Sequence, residues 1–220
     1  MKVETLWKVN VGSHMWKMEN AASDFDVSEV YAVPSEIILK GMGYPITKAQ
    51  GKYLRPDGVE VDLCSQEIGH LVNKLVGGNI NAIWTVMSPI ILQDSPVLQE
   101  LRKIVKDNIA KNCFQSINGM ATSQLRDAVR HVSGVSESKK LMTAFRTIQF
   151  GMNLLKTGKF EFKPVLYDIS EGEVRAAFDE LNEAYENSKL PEAPDEKAFR
   201  NFLFVFRMKN MFDETEGKRI

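Results

Sequence analysis

The chain has little of what marks a disulfide-built, zinc-thiolate or membrane protein. It carries 2 cysteines, Cys64 and Cys113, far apart and outside any Cys-x-x-Cys. That pattern argues against a disulfide framework and reads as two reduced, buried thiols in a cytoplasmic protein. No apolar run approaches the roughly 18 residues of a membrane span. The opening Met1-Lys2-Val3-Glu4-Thr5 lacks the apolar centre of a signal peptide. There is no internal repeat and no low-complexity stretch. Histidines number 3, and His70 has no second ligand at helical spacing, which argues against a histidine metal site.

What remains is an ordinary globular composition, 44% hydrophobic and 26% charged over 220 residues. Such a chain can bury a sizeable core in one domain or two small ones. The net charge of −1 hides an uneven spread. Residues 1–95 hold 8 Lys/Arg against 11 Asp/Glu, residues 96–165 hold 12 against 5, and residues 166–220 hold 8 against 13. An acidic segment followed by a basic one suits an enzyme that holds a polyanion against metal ions. Any single one of these cations is more simply read as solvating a helix face.

The chemistry concentrates near the N-terminus. Val9-Asn10-Val11 runs into Gly12-Ser13, and Ser23-Asp24-Phe25-Asp26-Val27 follows. Residues i and i+2 of a strand share a face, so Asp24 and Asp26 project together, with Phe25 and Val27 turned to the core. Paired carboxylates repel unless a cation sits between them, and Mg²⁺ favours carboxylates together with substrate phosphates. Gly12 permits close backbone approach. Ser13 brings a hydroxyl to a helix start, where N–H groups favour phosphate. A two-metal site needs a further acid. Pro56-Asp57-Gly58 is a turn signal between Ile46–Leu54 and Val59–Leu63, which reads as a hairpin. On its second strand Asp62 is the candidate third ligand and Glu60 the fallback. The plainer alternative is a turn cap at Asp24, a solvated Asp26 and an ordinary loop glycine at Gly12.

Gly12-Ser13, Asp24-x-Asp26 and the later Asp62 resemble the nucleotidyltransferase superfamily typified by DNA polymerase beta. The nearer likeness is to its RNA-repair-pathway branch, carried by Ser23-Asp24-Phe25-Asp26, Val30-Tyr31-Ala32-Val33-Pro34 and the helix after Asp62. Downstream the chain departs from that pattern at Asn79-Ile80-Asn81, Trp84 and Thr143, which leaves the acceptor open. The resemblance implies two Mg²⁺ ions (Mn²⁺ can substitute) on Asp24, Asp26 and Asp62, with Gly12 and Ser13 on the triphosphate. It also implies that Arg146 touches phosphate. Lys139 and Thr143 share the outer face with it; Arg126, Arg130 and Lys140 come next. The implied activity is transfer of a nucleoside monophosphate from an NTP, first choice ATP, to an acceptor hydroxyl. An RNA 3′ end is favoured over a protein hydroxyl or a small molecule. A non-catalytic nucleotide- or RNA-binding module is the contrasting class.

The rest of the chain gives the frame. Leu6–Val11 and Phe25–Val33 read as strands, the first with Trp7 and Val9 buried, and Ser13–Glu19 as a short helix in which His14 either touches a triphosphate or has a plain packing or turn role. Lys48, Lys52 and Arg55 on the hairpin are weak candidates for nucleotide contact. From Ser65 the period shifts towards 3.6, with Ile68, Leu71, Val72 and Leu75 on one face. Ser95-Pro96 starts a run of helices, interrupted by an extended segment over Phe160, Phe162, Val165 and Tyr167. Ser170-x-x-Glu173 is a capping box. Phe199, Phe202, Leu203, Phe206 and Met208 mark a last apolar helix, which packs across the domain junction or forms a homodimer face. The predicted class is α+β: a small mixed-sheet catalytic domain over 1–94, a helical bundle over 95–212 and a frayed tail over 213–220.

Overall fold

The computed structural model describes residues 3–20, 23–47, 50–130 and 136–216. Lys48, Gly134 and the end of the chain from 217 on lie outside them. The first half runs β1 (Glu4–Asn10), α1 (Gly12–Met15), β2 (Phe25–Ala32), α2 (Ser35–Leu39), β3 (Gln50–Leu54), β4 (Glu60–Glu67), α3 (Ile68–Val76), α4 (Ile80–Met87) and β5 (Ile91–Gln93). The strands form one mixed sheet in the order β3-β4-β2-β1-β5. All neighbours are antiparallel except β2 and β4, which run parallel. The hairpin turn closes where expected: Arg55 N–H donates to the Val59 carbonyl and Gly58 N–H to the Arg55 carbonyl, each at 2.9 Å.

Helices α5 (Pro96–Asp107), α6 (Cys113–Val129), α7 (Glu137–Thr157), α8 (Glu171–Glu186) and α9 (Glu196–Glu216) follow. Their starts are written in the sequence. The Ser95 hydroxyl accepts from Leu98 N–H at 3.2 Å, and Ser170 and Glu173 close the capping box. Helices α6 and α7 pack closely because Gly151 has no side chain; a Cβ there would lie 2.7 Å from Ile117 Cγ2. One apolar core runs from Trp7 and Val9 through Leu71 and Ile83 to Ile117, Ile148 and Leu181. Helix α9 lies against α2 and α3. Arg207 there donates to the Val33 carbonyl at 2.9 Å and pairs with buried Glu67, whose other oxygen caps α3 through Gly69 N–H at 2.6 Å. No helix among the described residues is long and apolar enough to cross a membrane.

Several expectations need correcting. Strand β4 continues to Glu67, because pairing with β2 from Ser28–Cys64 to Tyr31–Glu67 holds it extended past Ser65. Strand β5, three residues long, has too little pattern to be seen. The segment from Phe160 to Tyr167 joins no sheet, and Pro164 has no N–H to pair. Phe160, Phe162 and Val165 pack on the core while Tyr167 is exposed. Cys64 is exposed rather than buried, on β4 between β2 and the fully exposed β3; Cys113 is buried. Val27 is buried as expected, but Phe25 is only half-buried, and the largest apolar cluster takes in β2 from its other face through Val30.

Candidate active site

Parallel pairing puts Asp26 directly beside Asp62, on the same face of the sheet. Asp24 precedes Asp26 by two residues on that face. One carboxylate oxygen from each of the three lies within 4.8 Å of the others, and all three side chains are half-buried. Two residues further along β2, Ser28 shares a 3.0 Å hydrogen bond with Thr85 of α4. Val30 beyond it is fully buried. The same face thus passes from apolar core to polar seam to acidic cluster. Glu60, the fallback ligand, lies outside the cluster and bonds Lys52 at 2.5 Å.

Gly12 seals the back of the cluster. Its φ is +66°, and a Cβ there would lie 1.7 Å from Asp26 Oδ2 and 2.9 Å from Asp26 Cβ. Only glycine meets both conditions. Val11 N–H donates to the Asp26 carbonyl at 2.9 Å, fixing the turn to the strand. Ser13 follows in α1, and the His14 ring meets Phe25 edge-on at 5.0 Å.

The electrostatics are those of a site short of positive charge. Burial, then Asp24, then Asp62 push the Asp26 carboxyl up to about 6, against the opposing pull of Lys139 and His14. A divalent cation would reverse that balance, since it favours the ionised carboxylates. The donor set therefore fits a hard metal. Arg146 of α7 supplies a second unusual charge. Its guanidinium sits 5.3 Å over the Trp16 ring, Nη1 lies 3.9 Å from Met18 Sδ, and buried Nε has no partner. Burial pulls Arg146 down to about 10, with Asp26 partly offsetting it. A buried cation without a carboxylate bonded to it is costly unless an anion arrives.

Of the residues singled out in the sequence, the fold brings together Asp24, Asp26, Asp62, Gly12, Lys139 and Arg146. Arg126 is exposed and 3.9 Å from Asp127, and Arg130 is exposed. Lys140 is buried and bonds the Asp127 carbonyl at 3.3 Å, so its ammonium is taken up inside the bundle rather than offered to phosphate. Lys52 was undervalued: it bonds Asp24 Oδ2 at 3.1 Å, and bonds to Glu60 and Asp24 hold its ammonium above the ordinary range. Trp16, the platform under Arg146, went unnoticed because nothing in the local pattern ties it to a helix so far down the chain.

No curated protein matches the chain. Among solved structures it matches a nucleotidyltransferase-like protein from Exiguobacterium sibiricum 255-15, with 13% identity and a TM-score of 0.32 over 94% of this chain and 74% of that one. A family model covers residues 1–216, and by that match the chain belongs to the RNA repair pathway DNA polymerase beta family, RlaP, a branch of the nucleotidyltransferases.

Proposed function

We propose that the protein is a metal-dependent nucleotidyltransferase. It moves a nucleoside monophosphate from an NTP, with ATP the first choice, to an acceptor hydroxyl, with an RNA 3′ end favoured. The observation that carries this is three carboxylates converging within 4.8 Å. Asp24, Asp26 and Asp62 would hold two Mg²⁺ ions, with Mn²⁺ an alternative. When bound, the metals supply activation of the acceptor hydroxyl and neutralisation of the phosphates. The chain's own groups orient the substrate. The Gly12–Ser13 turn meets the β- and γ-phosphates, the Arg146 fork takes two of their oxygens, and Lys139 adds charge at the rim. Residues 1–94 supply the acids and residues 95–212 supply Arg146 and Lys139, so the site draws on both parts. RNA is favoured by the family's description and by the excess of Lys and Arg over 96–165. A cytoplasmic location suits such a substrate.

The test is incubation with each labelled NTP, Mg²⁺ and RNA bearing a free or blocked 3′ end. Transfer to the free end only, lost in Asp24→Asn and Asp26→Asn, is the expected result. Nucleotide binding without transfer to any acceptor would refute the enzyme in favour of a binding module.

A further inference from the structure

The sheet order sets two cationic flanks on opposite sides of the acidic cluster. On the β1 side lie Ser13 and the Arg146–Trp16 pair. On the β3 side lies Lys52, which pairs in register with Asp62 and so shares its face. Lys52 Nζ bridges Asp24 Oδ2 at 3.1 Å and Glu60 Oε1 at 2.5 Å. All five residues of β3 are exposed, and the Lys52 side chain keeps 53% of its surface in solvent. Its four-carbon stem is therefore free to swing.

We propose that Lys52 is an exchangeable counter-ion. A divalent cation taking Asp24 displaces its ammonium, Glu60 retains it at the edge of the site, and there it receives a phosphate of the incoming acceptor strand. The inference rests on the nucleotidyltransferase reading above for the acceptor and on geometry alone for the exchange. A metal binds a carboxylate oxygen at about 2.0–2.1 Å, so an ammonium on that same oxygen would face a dication at close range. Glu60 offers it a second carboxylate without a move off the hairpin. In-line displacement sets the attacking and leaving oxygens on opposite sides of the transferred phosphorus. With the pyrophosphate on the Arg146 flank, the acceptor arrives on the Lys52 flank.

The test uses the full chain with Mn²⁺ as the metal probe. Calorimetric titration should show Lys52→Met binding Mn²⁺ about three- to tenfold more tightly than wild type, since a competing cation is gone. Arg55→Met removes the same charge from the same hairpin and should change binding by less than about twofold, because an exposed charge off the ligand is screened. An oligoribonucleotide ending in a 3′-deoxy sugar then probes the acceptor side. With Mn²⁺ present Lys52→Met should bind it about tenfold more weakly, and without Mn²⁺ by less than about twofold. Mn²⁺ affinity in Lys52→Met no higher than in Arg55→Met overturns the exchange. Weakened NTP binding with unchanged oligonucleotide binding overturns the acceptor assignment. The predicted Mn²⁺ effect in a chain that transfers no label refutes the transferase reading and leaves the exchange standing.

Discussion

Replacing Gly12 with alanine tests the geometry most directly. The new Cβ would sit 1.7 Å from Asp26 Oδ2, roughly half a normal non-bonded separation. A rotamer change at Asp26 does not relieve the clash, because Asp26 Cβ itself would be 2.9 Å away. The turn is also tied to β2 through Val11 N–H and the Asp26 carbonyl, so the turn and the carboxylate cannot part freely. Left-handed backbone costs a non-glycine residue about 1–2 kcal/mol, and overpacking adds about 1–3 kcal/mol. At about 2–4 °C per kcal/mol for a chain of this size, Tm should fall by roughly 4–20 °C. Displacing Asp26 by an ångström should lower transfer about 10²-fold and weaken Mn²⁺ binding about tenfold. Gly41→Ala separates the two effects. Gly41 has φ +64° and open space around the missing Cβ, so that variant should carry only the backbone cost and keep Mn²⁺ affinity. Thermal denaturation and calorimetry read both. Wild-type Mn²⁺ affinity and Tm in Gly12→Ala would show that the turn does not brace the cluster.

Three further outcomes follow from the same structure. The Asp26 pKa lies near 6 in the metal-free fold, above its ordinary value of 3.8, so its ionisation opposes folding; the contribution is favourable below about pH 4 and is lost as pH rises through 6. Metal-free Asp26→Asn should therefore melt above wild type at pH 7 but not at pH 4 while losing transfer, and a lower melting point at pH 7 would contradict the assignment. Arg146→Met removes a buried cation whose Nε has no partner, so Tm should hold or rise while NTP affinity, read by fluorescence titration, falls at least about tenfold. Arg207→Ala strands the carboxylate of Glu67, which is 1% exposed; the loss of about 3–5 kcal/mol should appear as a Tm drop of roughly 6–20 °C.

What could be read from the sequence was whatever a local rule governs. The caps at Ser95 and Ser170, the turn at Asp57-Gly58 and the i, i+2 pairing of Asp24 with Asp26 each depend on neighbours within a few residues. Strand alternation sets Glu60 and Asp62 on one face without choosing between them, and the parallel register puts Asp62 beside Asp26. Alternation held for Val27, which is buried, and failed for Phe25, which is only half-buried at the start of β2. Both faces of β2 are largely buried further along, so alternation there does not tell which side carries the larger part of the core. Lys140 and Arg146 looked alike as cations on one basic helix. One bonds a neighbouring helix carbonyl and the other stacks on Trp16, and only tertiary packing separates them. The β5 strand exists because β1 offers it an edge, which three residues cannot announce.

The parallel pairing of β2 with β4 also has a kinetic consequence. Antiparallel neighbours zip from a turn, whereas Asp26 and Asp62 meet only after the whole crossover between them, with α2 and β3, has docked. The carboxylate cluster should therefore be among the last features to mature on refolding. In a stopped-flow experiment, Mn²⁺ capture should lag behind the return of helical ellipticity, and a cation that needs all three oxygens cannot template the chain that builds its seat.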